Sequence, residues 1–241
     1  MEAEQRTMKK KWGVYLFEFF MLFAAVSLGF IVDNLREEAG LREREQQYIR
    51  LLIQDLQADS LQCEQLILRF TWKTGGLDSL LTSFDLRSEN RFSSDGYWLI
   101  QRHLGGFPDF VPTNGTMQQL KNGGGLITIR NPLTVKKILE YDGAIQLELM
   151  HQDAMNTFYL DKIWTTLAAS VDLQGLQRLS ERQFQQPEQL ILYNDRRSHI
   201  SFSNDVTHYR KMTSLQLTML ESVLNNAKGL LSYLRETYPQ R

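Results

Sequence analysis

This chain of 241 residues predicts an all-α fold on a membrane anchor. Three observations carry that prediction. Gly13 to Val32 form one apolar run directly behind the basic cluster Lys9-Lys10-Lys11. Apolar residues recur at alternating spacings of four and three in two long segments, one near each end of the remainder. Alternating strand patterns are almost absent, with Leu126 to Ile129 the only plausible strand and too short to matter.

The apolar run is about 20 residues, so a helix through it is roughly 30 Å long and crosses the hydrocarbon core of a bilayer once. It divides the chain into a tail at 1–12, a transmembrane helix at 13–32, a charged helical neck at 33–48 and a helical bundle domain at 49–241. A cleaved signal peptide is the competing reading. It calls for a shorter apolar core and a small-x-small site beyond it, whereas Glu18 interrupts this run and Ala25-Val26-Ser27 lies inside it. The basic cluster before the span places the N-terminus in the cytoplasm and the bundle outside it, against a weaker pull from Arg36, Arg42 and Arg44.

Behind the span, Asp33 to Gln47 is nearly all charged or polar, and no proline occurs before Thr74. The helix therefore leaves the bilayer, crosses a solvated neck and enters a bundle through the seam Ile49, Ile53, Leu56, Ser60, Cys63, Ile67 and Phe70. Gly75-Gly76 is the expected stop, followed by short helices over 77–86 and 95–104. A loop rich in glycine and proline comes next, and Thr113 or Asn114 caps a helix that ends at Gly123-Gly124-Gly125. Pro132 suits the first turn of a helix over 133–157, with a further helical stretch at 158–170 and weaker segments up to Asn194. Asp195 or Ser198 caps a last helix to about Tyr238, with the seam Leu217, Leu220, Leu224, Ala227, Leu231 and Leu234. Two long helices of similar length suit antiparallel packing.

Some of these residues resemble a family. Glu18 in the span, the exit Asp33-Asn34-Leu35-Arg36-Glu37, the neck that follows, and Pro112-Thr113-Asn114-Gly115-Thr116 leading to Leu120-Lys121-Asn122-Gly123 are similar to uncharacterised single-span membrane proteins of Bacteroidota. Tyr193 to Arg197 echo the same pattern. The resemblance implies a bacterial inner-membrane anchor with a periplasmic helical domain. It implies no activity and no catalytic residues.

The candidates for chemistry are few. Charges nearly cancel, 27 basic against 28 acidic, so no overall field points to nucleic acid. Glu18 is the conspicuous group, because ionisable side chains inside a membrane are costly. Its place about one and a half turns into the run favours an interfacial or helix-association role over proton coupling. Its carboxylate lies on the cytoplasmic side of mid-membrane, and no peptidoglycan-binding signature accompanies it. None of His103, His151, His199 and His208 has metal-ligand spacing, so solvated or hydrogen-bonded histidines are the expectation. Lys121 to Gly125 lacks the Gly-Lys-Ser/Thr ending of a phosphate loop, and Ser/His/Asp or Cys/His triads have no supporting motif. Lone Cys63 reads as a small buried residue, with an intermolecular bridge as the alternative.

If one exposed surface binds a partner, the loop from Gly105 to Thr116 is the candidate, through Phe107, Phe110, Pro112 and Asn114. The leading expectation is a non-enzymatic envelope protein, without a cofactor, whose bundle binds envelope proteins or itself. A small-molecule-binding bundle and an ion-coupled accessory subunit using Glu18 are the alternatives.

Overall fold

A computed structural model of the chain describes residues 2–83, 94–106, 108–171, 173–174 and 196–239. Helix α1 (Glu2–Ser83) is one unbroken helix of 82 residues, roughly 120 Å long at 1.5 Å per residue. It is followed by α2 (Ser94–His103), α3 (Gly115–Asn122), the single turn α4 (Gly125–Thr128) and α5 (Pro132–Phe158). A π-helical turn, Tyr159–Trp164, joins α5 to α6 (Thr165–Ser170), and the last helix, α7, spans Arg196–Thr237. The fold is all-α, and no strand forms among the described residues.

Three of these helices make the bundle. α1 and α5 run in the same direction and α7 runs against both. Asp78 of α1 therefore pairs with Arg210 in the first half of α7, whereas Glu45 bonds Tyr238 just past its end. The ion pair of Glu64 with Lys228 lies between these two points. The N-terminal seam is the core face of α1, with Ile49, Ile53, Leu56, Ser60, Cys63 and Phe70 buried and Ile67 partly so. On α7 the core is centred slightly aside from the expected stripe: Leu220, Val223, Ala227, Leu230 and Leu234 are buried, and Leu217, Leu224 and Leu231 flank them. α5 contributes Ile138, Tyr141, Ile145 and Met155, and Asn131 caps it by accepting from the Leu133 amide in front of Pro132.

Below Glu38, α1 stands free of this packing. Among the described residues it is the one helix long and apolar enough to cross a membrane, and none of its most apolar window is buried against the rest of the chain. Phe19 packs on Phe20 and on Phe23 along its outer surface. In the neck, Glu38 pairs with Arg42 one turn on and with Arg130 of the bundle, the lowest tie between the two.

Three local expectations are corrected. α1 does not stop at Gly75-Gly76 but runs on to Ser83, because Leu77 and Leu80 are fully buried and hold the extra turns in the core. Gly76 is there for another reason: a Cβ built on it would lie 2.0 Å from the His103 ring, so only glycine lets α2 pack this closely. Leu126 to Ile129 is not a strand, since Gly125–Thr128 form a helical turn entered through Gly124 at φ +70°. Asn114 precedes α3, yet its side chain makes no capping bond; its carbonyl accepts from the Gln118 amide instead. The expected segments between 175 and Asn194, and Tyr193 to Asp195, lie outside the described residues.

Candidate functional site

The loop between α2 and α3 is strapped down by side chains, not left free. Its backbone has no neighbouring strand to pair with, so polar side chains of α1 and α5 supply the partners that its amides need. The Thr113 amide donates to Asp59 Oδ1 (2.8 Å), the Val111 amide to Gln62 Oε1 (3.2 Å) and the Phe110 amide to Gln152 Oε1 (2.7 Å). Gln152 Nε2 returns a bond to the Phe110 carbonyl, and Asn156 Nδ2 donates to Asp109. The strap thus spans α1 and α5 at once. Asp59 is its centre: almost fully buried, it also accepts from the Tyr141 hydroxyl at 2.5 Å.

The structure separates the four loop residues singled out in the sequence. Phe110 is 1 % exposed and belongs to the core, Pro112 is half-buried and Asn114 is exposed. Phe107 lies outside the described residues. Val111, which sequence reasoning passed over, is an apolar side chain that this loop presents to solvent. Its exposure follows from the strap, because burying Phe110 turns its neighbour outward.

Further along the bundle axis lie polar groups that the sequence did not announce. Near the neck, Glu45 accepts from the Arg130 amide (3.0 Å) and from the Tyr238 hydroxyl (2.9 Å), while Thr134 meets the hydroxyls of Tyr233 and Tyr238. In the middle, Glu148 is fully buried and accepts from Gln216 Nε2 at 2.5 Å, and burial raises its carboxyl to about 7. At the far end, Lys73 is 2 % exposed, donates to the Gly105 carbonyl and to the Tyr209 hydroxyl (3.2 Å), and lies over the Tyr209 ring. Burial pulls its ammonium down to about 6. The only sequence signal for Asp59 and Lys73 was their place beside the seam, where a helix–helix boundary falls.

No family model, curated protein or solved structure matches this chain.

The histidines do not converge. His103 stacks on Trp72 at 4.1 Å, His151 bonds the Met212 carbonyl at 2.9 Å, and His208 packs on Phe158 at 4.6 Å. Among the described residues no group of three His, Cys, Asp or Glu side chains is placed to hold a metal ion. Cys63 is fully buried, and burial together with Asp59 and Glu148 pushes its thiol up to about 12, far from a reactive thiolate. Glu18 projects from α1 outside the bundle, within the apolar stretch. Ala25 and Gly29, seven and eleven residues on, share its side of the helix, and space around Gly29 is open.

Proposed function

We propose that this is a non-enzymatic, membrane-anchored envelope protein that acts in protein–protein interaction or assembly. In this reading its N-terminus is cytoplasmic and its bundle periplasmic, at a bacterial inner membrane. One observation carries the proposal: α1 is at once the apolar segment, the charged neck and the central helix of the bundle, without a break over 82 residues. A helix that continues from bilayer to core fixes the standoff and tilt of the bundle, which a flexible tether would leave undefined. The strapped loop supports it too, since its buried polar groups are engaged in holding backbone in place.

The Bacteroidota resemblance adds the compartment. A reporter fused after Thr237 and protease access to the bundle in spheroplasts test it: the bundle is expected to be reachable from the periplasmic side, and the chain to stay in the membrane fraction after carbonate washing. A protected bundle or a carbonate-soluble chain would overturn the reading.

A second reading is favoured by Glu18, with Ala25 and Gly29 on the same face: a helix-association contact within the bilayer, or an ion-coupled accessory role. Glu18→Gln separates the two. Association through a hydrogen-bonded side chain tolerates the amide, whereas any role that moves a proton is abolished by it.

A further inference from the structure

Glu148 and Gln216 face each other across α5 and α7 with their hydrogen bonding half complete. Gln216 Nε2 donates to Glu148 Oε1 at 2.5 Å. The two atoms left over are Glu148 Oε2 and Gln216 Oε1, both buried and both without a partner. A carboxylate oxygen and an amide oxygen are both acceptors, so neither supplies the hydrogen that the other lacks. Two stranded acceptors in a core are costly, and one proton removes the problem. We infer that Glu148 is held as the neutral acid, donating from Oε2 to Gln216 Oε1 in a paired acid–amide contact, and that it is a proton-binding site inside the bundle.

The surroundings fit this assignment. Glu148 is 0 % exposed, so bulk solvent does not reach its carboxyl. From α1 the titratable neighbour is Cys63, whose thiol stays neutral up to about 12. From the strapped loop comes Asp109, whose negative charge opposes ionisation of Glu148. From α7 the facing group is Gln216, which is neutral, and His151 on the same helix as Glu148 is engaged with the Met212 carbonyl. Among the described residues no cation acts on the carboxyl. The site is therefore built from acceptors, neutral groups and one repelling charge, an environment that binds a proton and not a cationic partner.

The consequence is a link between the pH around the bundle and the packing of α5 on α7. The folded chain holds this proton more tightly than the unfolded chain, whose carboxyl titrates near 4.5. The stabilisation from Glu148 is thus complete below about 4.5 and is lost as pH rises through about 7. Loss of the proton converts the pair into a buried charge facing the Gln216 oxygen, and α5 and α7 are the elements that would part.

The test uses the full chain in lipid nanodiscs, with Glu18→Gln as background so that the carboxyl in the membrane does not contribute. Infrared difference spectra between pH 6 and pH 9 are expected to show a protonated carboxyl band that disappears at the higher pH and is missing from Glu148→Gln. A band that persists in Glu148→Gln, or no such band at pH 6, overturns the assignment without requiring any variant to be stable. Urea unfolding gives the second readout. The unfolding constant of the parent relative to Glu148→Gln is expected to rise about tenfold per pH unit at its steepest between about 4.5 and 7, then level off. A ratio that does not change with pH overturns the proposal.

Discussion

Asp59 holds three parts of the molecule together with one side chain: α1 on which it sits, the Tyr141 hydroxyl of α5, and the Thr113 amide at the end of the strapped loop. Removing it leaves the buried Tyr141 hydroxyl and the part-buried Thr113 amide without acceptors; a fully buried donor so stranded costs about 1–3 kcal/mol and a part-buried one less. Asp59→Ala is therefore expected to lower the unfolding free energy by about 2–4 kcal/mol, whereas Tyr141→Phe, which removes a donor along with its need, should cost less. Urea unfolding of the full chain in detergent measures both. Lys73 gives a prediction with a definite sign. Burial places its folded value at about 6, below the ordinary 10.5, so the unfolded chain binds the extra proton between those values. Stability associated with Lys73 therefore rises with pH from about 6 to 10.5, and the full penalty applies below about 6. Replacing Lys73 with Met should flatten the profile in that window, by up to about 1.4 kcal/mol per pH unit at the steepest point. The comparison is made on urea midpoints from pH 6 to pH 10; equal slopes for both chains would rule out a buried, weakly basic Lys73.

At the scale of elements, α2 is seated by the absence of a side chain. The His103 ring occupies the place where a Cβ on Gly76 would be, and stacks on Trp72 one turn earlier in α1. Gly76→Ala should destabilise the bundle by about 1–3 kcal/mol, through overpacking against the His103 ring. If that contact is the cause, Gly76→Ala should cost much less in a His103→Ala background, and a double-mutant cycle by thermal unfolding shows the coupling. This junction also shows where sequence patterns lose their force. Paired glycines commonly end helices, and nothing local separates a terminator from a glycine that makes room for a neighbour 27 residues away. By contrast, the seams of α1 and α7 were legible because their period is a property of the helix itself. Phe110 and Asp59 lie between these cases: a loop phenylalanine becomes core only because Asp59, Gln62 and Gln152 satisfy the backbone around it, and those partners are 42 to 54 residues distant. The acid–amide pair of Glu148 with Gln216 was illegible for the same reason, being a contact of 68 residues in separation.

For the whole molecule the decisive property is that apolar segment, neck and bundle share one helix, so any bending or rotation imposed at one end is passed to the other. The neck has two features that bear on this. Gly40 is a weak point in helix propensity, and Glu38 braces the helix against Arg130 just above the free segment, at 3.0 Å. If the function depends on rigid coupling, the neck's conformation matters more than its composition. Two insertions of equal length after Arg36 test this. Seven helix-forming residues add about 10 Å and two turns, keeping the bundle within roughly 20° of its original facing. Seven Gly/Ser residues add comparable reach but no fixed direction. Both should leave the urea midpoint of the bundle within about 0.5 kcal/mol of the parent, because the insertion lies outside its packing. Both should also remain in the membrane fraction. Recovery of envelope proteins by cross-linking in intact cells is expected to survive the helical insertion and to collapse with the flexible one. Equal recovery from the two chains would show that the neck is only a tether, and that the continuity of α1 has no part in assembly.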